Sequence, residues 1–252
     1  MAWYRVPGRL ARLVGHLVRG IRTAGGFERL TPAERQRAIA RWSRDVFGIL
    51  GIEWQVHGAP AAGAALVVSN HVSWLDTAAV HAACPQARFV SKADVLRWPL
   101  VGRLIRSGGT LFIERERKRD ALRVVHEVAA ALQRGESVAV FPEGTTGPGD
   151  GVQPFHANLL QAAIATHTAV QPVALRYSAP GEAVSRSAQY IGDTTLVGSM
   201  LRLASARGVR VQVHFLPPIA TAGAGLDRRA LAERARAAIA ERLDEIGRGG
   251  GA

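Results

Sequence analysis

Short apolar runs followed by polar residues recur through the middle of this chain, and they constrain its fold more than any other feature. Residues 64–68 form a continuous apolar stretch, too short for a helix and typical of a buried parallel strand. Similar runs end at residues 90, 113 and 141, and a segment with helical periodicity separates the last two. We therefore predict an α/β fold with a largely parallel mixed sheet flanked by helices.

Two amphipathic helices are predicted before the first of these strands. Leucine, valine and isoleucine recur at helical spacing from residue 10 to residue 21, and Thr31-Pro32-Ala33-Glu34 is a capping box that starts a second helix. Residues 1–50 carry ten arginines and three acidic residues, which is +7 of the total net charge of +12. We expect residues 1–57 to form a basic helical segment that associates with a membrane, and residues 58–248 to form the α/β domain. The alternative is a pair of surface helices that cover the domain core.

Composition limits the partners and the chemistry. A net charge of +12 indicates an anionic partner, such as a membrane surface, a nucleic acid or an acidic carrier protein. The single cysteine, Cys84, excludes an internal disulfide and any multi-cysteine metal site. No run of 18 uncharged apolar residues occurs, and the first residues lack a signal-peptide core. We therefore expect the protein to lie on the cytoplasmic side of the membrane.

The residues after the first apolar run offer an acid–base pair. His71 and Asp76 do not share a face of a regular helix, because five residues advance by roughly 140°. They can meet if His71 lies in the strand-to-helix turn and Asp76 lies in the first helical turn. Asp76 would then orient the imidazole, and His71 would take a proton from a nucleophile. No Gly-x-Ser-x-Gly elbow occurs, so the nucleophile is either a substrate hydroxyl or Ser73.

Each of the other apolar runs is also followed, shortly after its end, by a charged residue. Lys92 and Arg115 come after the second and third runs, and Glu143 comes after the fourth. The carboxyl ends of parallel strands meet at one edge of a sheet, so these side chains should converge on one cleft with His71.

Four ordered blocks between residues 58 and 215 resemble those of the glycerolipid acyltransferase family, whose best-known members acylate lysophosphatidic acid. The blocks are Asn70-His71-Val72-Ser73-Trp74-Leu75-Asp76, Gly109-Thr110-Leu111-Phe112-Ile113-Glu114-Arg115, Phe141-Pro142-Glu143-Gly144-Thr145 and Val170-Gln171-Pro172-Val173-Ala174. The two-helix segment before them is also similar to a family element, which implies membrane association.

The resemblance implies a specific reaction. An acyl-CoA or acyl carrier protein thioester would donate a fatty acyl group to a lysolipid hydroxyl, with His71 as the general base and Asp76 orienting it. Arg115 and Lys92 would bind the acceptor's phosphate, Glu143 would position the loop, and backbone N–H groups near Gly144 and Thr145 would stabilise the oxyanion. Neither a metal nor another cofactor is expected, and the thioester is a co-substrate. The implied location is the cytoplasmic face of the inner membrane, as a peripheral or monotopic protein.

One departure from the family pattern bears on the acceptor. The third block commonly continues with arginine, whereas here Thr146 and Gly147 follow Thr145. Either Arg115 and Lys92 are sufficient for lysophosphatidic acid, or the acceptor lacks the phosphate. A subset that acylates lyso-ornithine lipid resembles this chain in its Gly-Thr-Thr loop, so that lipid is the alternative acceptor.

Two functions of other classes are compatible with parts of the sequence. A non-catalytic basic protein bound to membranes is compatible with the charge, but no nucleic-acid-binding pattern is visible. Metal-dependent hydrolysis could use His71, Asp76, His81 and Glu143 as ligands, although their spacing matches no established metal signature.

Overall fold

A seven-stranded sheet forms the middle layer of the protein. The computed structural model describes residues 5–97, 102, 105, 109–113, 118–223 and 225–249. Its strands are β1 (Glu53–His57), β2 (Ala65–Ser69), β3 (Arg88–Lys92), β4 (Leu111–Ile113), β5 (Val138–Val140), β6 (Ala169–Ser178) and β7 (Arg210–Phe215). They are ordered β1-β7-β6-β2-β5-β3-β4.

Five neighbouring strands of this sheet run in one direction. Strands β6, β2, β5, β3 and β4 are parallel to one another, whereas β7 is antiparallel to β6 and parallel to the edge strand β1. The prediction of a largely parallel mixed sheet is confirmed. Because the five parallel strands end at the same edge, the residues that follow the neighbouring strands β2 and β5 emerge side by side.

Helices cover both faces of the sheet. They are α1 (Val6–Ala24), α2 (Pro32–Leu50), α3 (Asp76–His81), α4 (Lys118–Gln133), α5 (Leu160–Ala165), α6 (Leu196–Ser205) and α7 (Arg228–Gly249). Residues of α1, α2, α3 and α6 belong to the core on one face, and residues of α4, α5 and α7 belong to the core on the other. Alternate residues of β2 supply both cores, since Val67 faces the first and Val68 the second.

The N-terminal helices are part of the first core. Leu13 of α1 and Val46, Phe47 and Leu50 of α2 are buried in the same cluster as the sheet residues. Helix α2 starts at the predicted capping box, with the Thr31 hydroxyl accepting from Glu34 N–H and the Glu34 carboxylate accepting from Thr31 N–H. The membrane role assigned to residues 1–57 stays a prediction. None of the described helices combines the length and the hydropathy needed to cross a bilayer.

Candidate functional site

The turn after β2 is fixed to the neighbouring strand β6. The Asn70 side-chain amide donates to the Leu175 carbonyl at 2.9 Å, and its oxygen accepts from the Leu175 N–H at 2.8 Å. Both bonds are buried, so the amide satisfies the backbone groups of β6 at the point where β2 ends. Residue 71 therefore leaves the sheet in a fixed direction.

His71 and Asp76 meet in this turn as the spacing predicted. The distance from His71 Nδ1 to Asp76 Oδ2 is 2.7 Å, and the Asp76 side chain is fully buried at the start of α3. Asp76 Oδ2 also accepts the backbone N–H groups of Val72 at 2.7 Å and Ser73 at 2.9 Å. Because Oδ2 is an acceptor of three groups, Nδ1 carries the hydrogen and Nε2 keeps its lone pair. The imidazole is thus held in the tautomer that a general base requires.

A tyrosine that the sequence reasoning missed completes this pair. Tyr177 lies in β6, is buried, and donates its hydroxyl to Asp76 Oδ1 at 2.8 Å. Burial, together with the Asp76 charge, raises the pKa of Tyr177 well above its usual value, so the phenol stays a donor. Tyr177 stands near the carboxyl end of a strand, which is the criterion that singled out the other site residues. The Asp76 carboxylate therefore accepts four hydrogen bonds in all.

The loop after β5 supports the histidine from the other side. The Phe141 ring stacks on the His71 ring, with centroids 4.1 Å apart. Glu143 Oε1 accepts from the His71 N–H at 3.2 Å, and the Gly147 N–H donates to the His71 carbonyl at 2.7 Å. Burial raises the pKa of Glu143 to about 8, although N–H groups of His71 and Gln153 oppose that rise. Glu143 thus contacts the histidine backbone and holds the two loops together.

Gly144 and Thr145 differ in their exposure at the cavity beside His71. Gly144 is buried with φ of 76°, a left-handed conformation that favours glycine, and its N–H donates to the Phe141 carbonyl at 3.0 Å. Thr145 is exposed and lies in the wall of the cavity beside His71. The assignment of their N–H groups to an oxyanion stays a prediction.

The structure does not describe the side chains of the two predicted basic residues. Arg115 lies outside the described residues, and for Lys92 only the backbone, at the end of β3, is described. Strands β3 and β4 pair in parallel beside β5, so the end of β3 that carries Lys92 lies at the same edge of the sheet as His71. Their role in binding an acceptor stays a prediction.

The alternative nucleophile and the alternative metal site find no geometric support in the described part of the chain. Ser73 is fully buried, and its hydroxyl oxygen accepts from the Leu75 N–H at 3.4 Å. His81 Nε2 lies 2.9 Å from the Ala87 carbonyl, where it is not aimed at His71. Among the described residues, no group of three or more potential ligands is placed to hold a metal ion.

An apolar cavity of about 430 Å³ opens beside His71. It passes between the sheet and the N-terminal helices, and its walls include Leu13 and Leu17 of α1, Trp42 of α2 and Ala78 of α3. This size falls within the range of about 300–1,000 Å³ typical of small-molecule sites. None of its described lining residues is lysine or arginine. The space therefore suits an apolar chain whose reactive end lies at the histidine.

Thr146, which stands where the family pattern has arginine, ties two loops together. Its hydroxyl donates to the Tyr190 carbonyl, and the Tyr190 N–H donates to the Val72 carbonyl at 3.0 Å. Gln189 adds a bond from its side-chain amide to the Pro148 carbonyl at 2.7 Å. Thr146 and Tyr190 both line the cavity. A neutral residue thus occupies this position beside His71.

The chain is similar to known proteins in sequence and in structure. Residues 53–176 match the sequence model of the family described as Acyltransferase. A lyso-ornithine lipid O-acyltransferase of Pseudomonas aeruginosa is 37% identical over 246 residues, covering 95% of this chain and 93% of the relative. A 1-acyl-sn-glycerol-3-phosphate acyltransferase of Neisseria meningitidis is 35% identical over 244 residues, covering 94% of each.

A solved structure has the same fold. The crystal structure of the 1-acyl-sn-glycerophosphate acyltransferase PlsC from Thermotoga maritima superimposes with a TM-score of 0.64 and 21% identity, covering 94% of this chain and 97% of that one. The two named relatives align over nearly the whole chain. Taken with the described dyad and cavity, these similarities show that the chain belongs to the acyltransferase family.

Proposed function

We propose that this enzyme transfers a fatty acyl group from an acyl thioester to the free hydroxyl of a lysolipid. The observation that carries the proposal is the His71–Asp76 dyad, whose oriented imidazole lies in the wall of an apolar cavity. A hydroxyl needs a base to attack a thioester, and an acyl chain needs a dry space of this size. Both requirements are met within one site.

The reaction proceeds without a covalent acyl-enzyme. His71 Nε2 takes the proton of the acceptor hydroxyl while the oxygen attacks the thioester carbonyl, and Asp76 stabilises the imidazolium that forms. The C–S bond then breaks, and the leaving thiolate takes the proton from the imidazolium, which yields an ester and a free thiol. Thr145 is an exposed residue of the cavity wall, and we assign its backbone N–H to the developing oxyanion.

Lysophosphatidic acid is the first acceptor that we propose, with Arg115 and Lys92 binding its phosphate. The relative from Neisseria meningitidis acts, by its name, on 1-acyl-sn-glycerol 3-phosphate. A guanidinium can bind a phosphate through two parallel hydrogen bonds, and an ammonium adds a point charge. The donor is acyl-CoA or acyl carrier protein, both of which are anionic and suit a chain with a net charge of +12. No metal or other cofactor takes part.

Lyso-ornithine lipid is the second candidate acceptor, and Thr146 favours it. The neutral Thr146 lines the cavity and is bonded to the Tyr190 carbonyl, so position 146 does not offer a cation to a phosphate. An ornithine head group carries an amine and a carboxylate in place of a phosphate. The relative from Pseudomonas aeruginosa is named for this lipid. We place the enzyme as a peripheral or monotopic protein on the cytoplasmic face of the inner membrane, where either acceptor would lie.

The first experiment compares both acceptors with purified protein in detergent micelles. A long-chain acyl-CoA is supplied with lysophosphatidic acid or lyso-ornithine lipid, and thiol release is followed for the wild type and for His71→Ala. We expect release that depends on one acceptor and falls about 10²–10⁴-fold in His71→Ala, the usual contribution of a general base. Ser73→Ala is the matched control and should keep most of the activity. A His71→Ala variant that retains wild-type rates would refute the assigned mechanism.

A further inference from the structure

Helix α6 presents apolar side chains to solvent on its outer side. Val197 is 67% exposed and Leu201 is 42% exposed, and the two lie one turn apart on the same side of the helix. The inner side of α6 is well packed, since Ser199, Leu203 and Ala204 are buried. The exposed pair is therefore not needed for the core, and it leaves apolar area in contact with water.

Helix α6 packs against the basic helix α1. The Arg9 guanidinium of α1 donates to the carbonyls of Ala204 at 2.9 Å and Ala206 at 3.0 Å, at the carboxyl end of α6. Val14 of α1 is itself 52% exposed. Helix α1 carries four arginines and no acidic residue, so the apolar side chains of the two helices lie on a strongly basic part of the molecule.

This combination of charge and apolar exposure identifies the partner. Arg202 lies within α6, Arg207 follows the helix and Asp193 precedes it, so the α6 region is also net positive. An anionic lipid bilayer offers negative head groups to the arginines and an apolar layer to the valine and leucine side chains. We propose that α6 contacts such a bilayer alongside α1, with Val197 and Leu201 inserted at the boundary between head groups and acyl chains.

The proposal rests on the proposed function, because it supplies the route by which a lysolipid reaches His71. Leu196 and Met200, on a third side of α6, line the cavity beside the histidine. A bilayer held against the outer side of α6 would thus be separated from the cavity by a single helix. The acceptor would reach the cavity from the bilayer without crossing water with its acyl chain exposed.

The test is vesicle binding by the full-length protein, with a control on the opposite face of the sheet. Val197→Asp is compared with Leu122→Asp, since Leu122 of α4 is 64% exposed and α4 covers the other core. The two substitutions change the net charge equally at nearly equal exposure. Cosedimentation is measured with phosphatidylcholine vesicles containing phosphatidylglycerol. We expect Val197→Asp to weaken binding about tenfold or more and Leu122→Asp to change it less than about twofold.

Three further results decide between the α6 contact and its alternatives: thiol release, the comparison of vesicle binding between the variants, and the oligomeric state. Thiol release in detergent micelles should be similar in both variants and the wild type, because Val197 lies outside the catalytic machinery. If the wild type itself releases no thiol with either lysolipid, the proposed function is refuted. Equal losses of vesicle binding in the two variants, or none in Val197→Asp, would overturn the α6 contact. So would a lipid-free dimer of the wild type that Val197→Asp converts to a monomer by light scattering, since a second copy would then cover this side.

Discussion

At the scale of single residues, the Asp76 carboxylate determines how the site works. It is fully buried and accepts hydrogen bonds from Tyr177, His71 and two backbone N–H groups. A buried carboxylate is costly unless its oxygens are satisfied, and here both oxygens have partners. The same bonds that stabilise the charge also fix the His71 ring, so structure and catalysis depend on one network.

Tyr177→Phe tests whether this network tunes the base. Removal of the hydroxyl leaves Asp76 Oδ1 with one donor fewer, so its negative charge stabilises the His71 imidazolium more strongly. We nevertheless expect kcat/KM to fall about tenfold, because Asp76 loses a bond of about 1.5 kcal/mol that holds it in position to orient the His71 ring. We also expect the acidic limb of the pH–rate profile to move to higher pH.

A purely structural role for Tyr177 would not move that limb. Thermal unfolding of Tyr177→Phe provides the stability control, and Ser73→Ala, which removes a buried hydroxyl that does not contact Asp76 side-chain oxygens, provides the matched variant. An unchanged pH–rate profile in Tyr177→Phe would show that the phenol only fills space.

Glu143 makes the stability of the wild type depend on pH. Burial raises its pKa to about 8, so the folded protein prefers the protonated carboxyl, whereas the unfolded chain ionises near 4.5. The free energy of unfolding should therefore fall as the pH rises from about 4.5 to 8. Glu143→Gln removes this loss, and its stability relative to the wild type should increase by about 1–3 kcal/mol between pH 5 and pH 9.

Chemical denaturation at several pH values measures the difference. Glu136→Gln is the control, because Arg134 and Arg88 lower the pKa of Glu136 and its effect should stay flat above pH 6. If Glu143→Gln shows the same pH dependence as the wild type, the Glu143 carboxyl is ionised in the folded protein.

At the scale of helices and strands, much of the site could be predicted from the chain. The apolar runs at β2 and β5 lie in neighbouring strands, which brings His71 and Glu143 together as expected.

Strand β1 and helix α6 were not predicted. Three of the five residues of the edge strand β1 are polar, so it has no continuous apolar run. Its place beside β7 depends on pairing with residues 157 positions away. Tyr177 was likewise missed as a site residue because its contact with Asp76 is set by the pairing of β6 with β2.

The pairing of β1 with β7 creates a histidine stack whose effect on stability can be measured. His57 and His214 stack with centroids 4.2 Å apart, and burial, with His57 and Arg242 nearby, lowers the pKa of His214 to about 4. The unfolded chain binds this proton near pH 6.5, so the free energy of unfolding should fall by about 2 kcal/mol as the pH drops from 6.5 to 4. His214→Phe keeps the stacking and should reduce that fall.

Denaturant midpoints at pH 7 and pH 4.5 provide the measurement for His214→Phe. His167→Phe is the control, because His167 lies in the turn between α5 and β6, away from the stack. An acid sensitivity that persists unchanged in His214→Phe would assign it to other groups.

At the scale of the whole molecule, the cavity unites the N-terminal helices with the α/β domain. The helical period of residues 10–21 predicted an apolar face but not what it contacts, because periodicity carries no information about the partner surface. In the structure that face contributes both to the core and to the cavity wall that ends at His71. The choice of acyl chain should therefore depend on residues far from the dyad in sequence.

Ala78→Leu tests this dependence. Ala78 lies in α3 at the cavity wall and is partly buried against the core, so a larger side chain there shortens or narrows the space beside His71. We expect kcat/KM for a long-chain acyl-CoA to fall at least about tenfold, while a donor shorter by several carbons loses much less, since about 0.8 kcal/mol is at stake for each buried CH₂. Ala83→Leu is the matched control: Ala83 packs against the same core but is not among the described residues that line the cavity, so its variant should affect all chain lengths alike. Equal losses for long and short donors in Ala78→Leu would mean that the donor chain lies elsewhere and that the cavity holds the chain of the acceptor.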